Sequence, residues 1–238
     1  MVSPRVERVA DLQTLGEAVA AALIEVCRER QEAGAVPCAV LTGGRAGAQV
    51  LLAVRDHAER DSVDWSRVRF LWGDERFVPA GHEDRNDLLA DQSLFAAVET
   101  DPTLVHRVPA ADSGLSLDEA AAEYAGIVDR VERIDVALSG VGEDGHVASL
   151  FPGRSEVLLV DGPSALAVRD SPKPPPERVT FSLPALNRAE RSWLLAAGAG
   201  KADAVRALLA RPEPLVPAAR LAGRTETVLW ADPAALGE

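Results

Sequence analysis

The chain has 238 residues, 47% hydrophobic and 26% charged, which is enough apolar material to bury a sizeable core and argues against disorder. Its 25 basic and 37 acidic residues leave a net charge of −12, which excludes nucleic acid and anionic membrane as partners unless a local basic patch overrides the field, and none is visible. An anionic small molecule is admissible only where positive side chains and backbone amides are gathered in one place.

Arg5, Glu7, Arg8 and Asp11 interrupt any apolar signal core near the start, and nowhere do eighteen apolar residues run together, so a cytoplasmic chain is expected. Residues 11–33 carry Leu12, Leu15, Val19, Leu23 and Val26 at steps of three and four, an amphipathic helix that Gly34 ends. After Pro37 a short apolar run, 38–41, reads as a strand; Thr42-Gly43-Gly44 turns it into a helix through Val50, Leu51 and Val54. The same grammar recurs at 68–72 before Gly73, at 134–138 before Gly140, and at 193–197, where Gly198 and Gly200 precede a helix over 201–210. Between them, 116–131 is a helix opened by a capping box, Ser116 with Glu119, that buries Tyr124, Ile127, Val128 and Val131. Further strands are expected at 157–160, 165–169, 179–182 and 227–230, and a short helical stretch at 147–150. The segment 171–176 (SPKPPP) suits neither helix nor central strand and is read as an ordered loop near the crevice. Cys27 and Cys38 lack metal or disulfide spacing and are read as buried thiols.

This alternation predicts an α/β fold: a mostly parallel, Rossmann-like sheet with helices on both faces, in one domain over 1–238. In such sheets the ligand crevice lies at the carboxyl ends of the strands, so the turns at 42–47, 73–79, 140–146 and 198–201 should converge.

Those turns hold the candidate chemistry. Gly43 and Gly44 expose backbone N–H groups at a helix start, which suits a phosphate. Asp74, Glu75 and Arg76 crowd charge directly after a strand: Arg76 can hold an anion, and Asp74 can orient a base, a hydroxyl or Arg76. His146 follows a glycine turn near Asp144, where an imidazole can be oriented to take a proton from water. Ser149 lacks a nucleophile elbow and is read as packing or capping. His57, His82 and His106 have no metal spacing. Only Lys173 and Lys201 are lysines, and Lys201 opens a helix where its ammonium and glycine amides can share a phosphate. A competing reading takes 140–145 as G-x-G-x-x-G with Asp161 as its ribose acid. Glu143 and Asp144 would repel a pyrophosphate, and Pro152-Gly153 breaks the crossover helix too early.

The segments LTGG (41–44), WGDERFVP (72–79) with DRN (84–86), GVGEDGHVASLFPG (140–153), KPPPERVT (173–180) and GAGK (198–201) together resemble the 6-phosphogluconolactonase family, which is related to the glucosamine-6-phosphate deaminases. Arg76 and the tail after Gly145-His146 favour the lactonase side. The resemblance implies the fold of the glucosamine-6-phosphate deaminase/ribose-5-phosphate isomerase superfamily. It implies hydrolysis of 6-phospho-D-glucono-1,5-lactone to 6-phosphogluconate, the second step of the oxidative branch of the pentose phosphate pathway, without a required metal or other cofactor; a monomer is expected. Its catalytic group would be His146 with Asp74 and Asp144. Substrate would be held by Gly43, Gly44, Arg45, Arg76, Asn86, Gly142, Arg178 and Lys201, with the oxyanion taken by glycine-turn amides or by Arg76. Arg45 stands where relatives often carry a small hydroxyl residue.

Overall fold

Strands and helices alternate as the periodicity predicts, in a computed structural model whose described residues are 3–211 and 216–238. In chain order they are β1 (Arg5–Arg8), α1 (Leu12–Glu32), β2 (Cys38–Leu41), α2 (Gly44–Asp56), β3 (Arg69–Trp72), β4 (Asp74–Arg76), α3 (Asn86–Gln92) and α4 (Leu117–Asp129). The second half continues with β5 (Ile134–Gly140), β6 (Ala165–Val168), β7 (Arg178–Phe181), α5 (Leu183–Leu186), β8 (Ala189–Ala196), α6 (Ala202–Ala210), β9 (Glu226–Ala231) and α7 (Pro233–Leu236).

Six strands form a wholly parallel sheet in the order β1-β9-β8-β5-β2-β3. From β2 the chain steps outward to β3, then returns past β2 to β5 and proceeds the other way to β8 and β9. The strand order therefore reverses between β2 and β5, and a crevice opens at their carboxyl ends. One face of the sheet is covered by α1 and α2, the other by α4, α6, α7 and a small second sheet. α1 starts at Asp11, whose carboxylate accepts from Thr14 N at 2.8 Å, and buries Leu15, Val19, Leu23, Ile24, Val26 and Cys27. Each such aliphatic side chain contributes roughly 1.5–3 kcal/mol. Cys27 and Cys38 are buried and unpaired.

The expected capping box is present on α4: Ser116 N donates to Glu119 Oε2 at 2.8 Å, and Glu119 N to Ser116 Oγ at 3.4 Å. From this helix the fully buried Tyr124 reaches the end of β3, its hydroxyl donating to Trp72 O (2.9 Å) and accepting from Trp72 N (2.8 Å). That pair fixes the point where the chain leaves the large sheet.

At Gly73 it enters the small antiparallel sheet β4-β7-β6, which the sequence reading lacks because β4 (DER) has no apolar residue to mark it. The expected strand at 157–160 is a short 3-10 turn, Ser155–Leu158, with Leu158 66% and Val160 83% exposed. Val157 is buried, but Leu158 and Val160 have no sheet to pack against, and the competing dinucleotide pattern loses the strand that was to carry Asp161. The expected helical stretch at 147–150 is a reverse turn closed by Leu150 N donating to Val147 O at 2.9 Å, with both those side chains buried; four residues before Pro152 leave no room for a helix. Among the described residues no helix is long and apolar enough to cross a membrane.

Candidate active site

The turns after β2, β3, β5 and β8 converge on one cleft of about 530 Å³ at the reversal point, a size suited to a small metabolite. Thr42 joins two of them, its hydroxyl accepting from Gly140 N at 3.4 Å. Gly43, Gly44, Arg45, Asp74, Arg76, Asn86, Gly142, His146, Arg178 and Lys201 all line the cleft. Asp144 is not on its wall and reaches it through His146.

His146 Nδ1 lies 2.5 Å from Asp144 Oδ1, and that same oxygen accepts from His146 N at 3.2 Å. With Nδ1–H donated to the carboxylate, Nε2 is the basic nitrogen. The turn is closed by Gly142 N donating to His146 O (2.8 Å) and Gly145 N to Gly142 O (3.0 Å), while Phe151 packs against the imidazole at 4.8 Å between centroids. Gly142 is required by proximity, since a Cβ there would stand 2.0 Å from His146 Nδ1. Burial lowers the His146 pKa, the Asp144 bond and charge oppose that, Lys173 lowers it and Asp74 raises it; the net shift is downward. Burial raises the Asp144 pKa, but the His146 hydrogen bond and charge outweigh it and hold the acid ionised below its ordinary range. Burial therefore favours the neutral imidazole.

β4 sorts its three charges by strand alternation. Asp74 and Arg76 reach the cleft, and Glu75 points away into a buried seat. There its carboxylate accepts from the backbone N–H groups of Arg76 (2.8 Å), Asn86 (2.7 Å) and Asp87 (2.9 Å), capping α3. Burial pushes Glu75 up to about 7, against the pull of Asn86 N–H and Arg85. The seat holds Asn86 so that its amide donates to Asp74 O at 2.9 Å and lies against Gly43, where any Cβ would meet Asn86 Oδ1 at 1.8 Å.

Asp74 and Arg76 do not pair with each other. Arg76 donates to Asp84 O, whereas Asp74 Oδ2 accepts from Ser149 Oγ at 2.7 Å and lies 3.9 Å from Arg178 Nη1. Strand alternation puts both β4 side chains on one face, but Asp74 sits deeper, beside β7. Ser149, read from sequence as packing or capping, thus fixes one Asp74 oxygen. Arg178 is largely committed to the loop before it, donating Nε to Pro175 O (3.2 Å) and Nη2 to Lys173 O (2.9 Å) and Pro174 O (3.0 Å).

Lys173 also lines the cleft, so both lysines of the chain stand there. Sequence reasoning noted its rarity and read its loop as lying near the crevice, but gave the side chain no role; that scarcity was the available signal. Burial lowers the Lys201 pKa, Glu143 opposes this, and Lys173 and Arg45 lower it further, so three cations share this part of the cleft. Inside a net charge of −12, that cluster is what an anionic ligand requires.

Comparison with known proteins agrees with this geometry. The profile of the family described as glucosamine-6-phosphate isomerases/6-phosphogluconolactonase matches residues 10–230. A 6-phosphogluconolactonase of Streptomyces coelicolor is 41% identical, over 96% of this chain and 92% of its own length, and one of Mycobacterium tuberculosis is 41% identical over 80% of each. The crystal structure of 6-phosphogluconolactonase from Thermotoga maritima superposes with a TM-score of 0.84 over 97% of this chain and all of that one, at 24% identity, and shares the fold. On the profile match and these relatives, the chain belongs to the glucosamine-6-phosphate isomerase/6-phosphogluconolactonase family.

Proposed function

We propose that this chain is a 6-phosphogluconolactonase, hydrolysing 6-phosphogluconolactone to 6-phosphogluconate with His146 as the base that activates water. The observation that carries the reading is the His146–Asp144 pair at 2.5 Å, in a cleft that also gathers Arg45, Lys173 and Lys201. The relatives that bear this name at 41% identity support the substrate class.

In this reading neutral Nε2 takes one proton from water while its oxygen bonds to C1 of the lactone. The resulting oxyanion is met by amides of a glycine turn or by Arg76. As C1–O5 breaks, its electron pair goes to O5, which takes the proton from the imidazolium, and the new acid ionises. Such acid–base help is worth on the order of 10²–10⁴-fold. The phosphate sits at the start of α2, on Gly43 and Gly44 N–H groups, with Arg45 and Lys201. Asn86 and Gly142 shape the wall, Arg178 supports it, and Asp74 offers its remaining oxygen to a sugar hydroxyl. The whole chain acts as one unit, cytoplasmic and monomeric, needing no metal.

The test is hydrolysis of freshly prepared lactone, corrected for the spontaneous reaction, by wild type and by His146→Asn. The variant is expected to lose at least about a hundredfold in kcat. Activity within a few-fold of wild type would remove His146 as the base. Release of ammonia from glucosamine 6-phosphate without lactone hydrolysis would replace the lactonase reading by the deaminase one.

A further inference from the structure

The loop 171–176 is tied down more thoroughly than a connector needs. Besides the three carbonyls held by Arg178, which is itself 5% exposed, Ser171 N donates to Pro176 O (3.0 Å) and Ser171 Oγ to Lys173 O (2.8 Å). Lys173 N returns a bond to Ser171 Oγ at 3.3 Å. Prolines follow at 174, 175 and 176, so the backbone carrying Lys173 has little freedom left to lose. The side chain is treated in the opposite way: it is exposed at the lip of the cleft, and among the described residues its ammonium has no hydrogen-bond or ion-pair partner. Arg76 and Arg178 in the cleft are engaged with carbonyls; this lysine is held in place yet left free.

Its position relative to the other groups has chemical content. Lys173 lines the same cleft as His146 at the water-activating end and Lys201 at the phosphate end, and its charge is felt at both. In a 6-phosphoaldono-δ-lactone the phosphate is on C6, C6 is on C5, and C5 carries the ring oxygen that is bonded to C1. The atom between the two ends is therefore the leaving oxygen.

We infer that Lys173 is a catalytic residue for the leaving group, its ammonium donating a hydrogen bond to ring oxygen O5 as the C1–O5 bond breaks. This rests on the lactonase reading above. Lys173 keeps its proton throughout: the electron pair of C1–O5 moves to O5, the His146 imidazolium supplies the proton that makes the new hydroxyl, and the ammonium stabilises the negative charge developing before that transfer. Substrate covering the lip removes water from around the ammonium and strengthens the interaction just where charge appears.

The test compares Lys173→Gln, Lys173→Arg and Lys201→Ala with wild type in the lactone assay. Lys173→Gln is expected to lower kcat by about tenfold to a hundredfold with KM little changed, Lys173→Arg to recover part of the loss, and Lys201→Ala to act mainly on KM. The acid limb of kcat/KM gives a second readout. Lys173 opposes protonation of His146, while Asp144 and Asp74 favour it, so Lys173→Gln moves the limb to higher pH and Lys173→Arg restores it. A merely structural loss would leave the limb in place. A rise in KM with kcat intact would make Lys173 a phosphate ligand, and unchanged kinetics would make it a bystander; either overturns the inference while leaving the lactonase reading standing. No lactone hydrolysis by wild type above the spontaneous rate overturns both.

Discussion

Replacing Gly142 with alanine tests whether the His146–Asp144 geometry matters, without touching either residue. The φ of Gly142 is outside the left-handed region, so alanine brings no backbone strain and its effect is steric. The new Cβ would lie 2.0 Å from His146 Nδ1, 2.2 Å from Cε1 and 2.7 Å from Asp144 Oδ1, against ordinary contact beginning at 3.4 Å. The imidazole must retreat by about 1.4 Å, in a packed interior that does not yield freely. The turn cannot open to absorb it, because Gly142 N is bonded to His146 O and Gly145 N to Gly142 O, and Phe151 lies against the ring. A misplacement on the order of 1 Å costs a catalytic group about a hundredfold. Gly142→Ala is therefore expected to lose about that factor in kcat, approaching His146→Asn, while overpacking costs roughly 1–3 kcal/mol and lowers Tm by several degrees. Gly126→Ala, on α4 with nothing nearer than Arg130 Nη1 at 3.7 Å, is the control and should keep full activity. Lactone hydrolysis by pH-stat, beside thermal unfolding, measures both. A Gly142→Ala protein that is destabilised yet hydrolyses lactone within a few-fold of wild type would refute the reasoning.

Asp144→Asn keeps an acceptor for His146 Nδ1–H but removes the charge that favours the imidazolium, so the acid limb of kcat/KM moves to lower pH while the plateau falls by on the order of a hundredfold. A limb moving to higher pH would contradict the assigned coupling. Glu75 is protonated more readily folded, with a pKa near 7, than its ordinary value of 4.5 allows; the folded state therefore holds the extra proton between those values, and stability contributed by Glu75 is full below the lower one and is lost as pH rises through the upper. Glu75→Gln cannot titrate and loses an acceptor for Asp87 N–H, so its Tm should be lower in acid and change less from about pH 5 to about pH 8 than that of wild type. Parallel Tm curves would show that Glu75 does not titrate in this window.

Much of the layout follows from local pattern. The strand–glycine–helix grammar at 38–54, 134–146 and 193–210 is dictated by short apolar runs, permissive turns and helical periodicity, and the reversal in strand order brings those turns together. His146, Lys201, Gly43 and Gly142 were legible because each sits on a turn of that kind. Tertiary structure decided what local pattern does not encode. The β4 strand has no apolar residue, so only pairing with β7 reveals it, and with it the sorting of Asp74 and Arg76 into the cleft and Glu75 beneath α3. The apolar residues at 157–160 looked like a strand but have no neighbour to pair with, because a strand exists only through its partners. Asp74 found Ser149 and Arg178 in place of Arg76, and the loop of Lys173, expected near the crevice, is held there by Arg178 at the start of β7. Short-range periodicity reports which face of an element is apolar; which charges meet across the crevice is set by long-range packing, and that is where the chemistry of this chain resides.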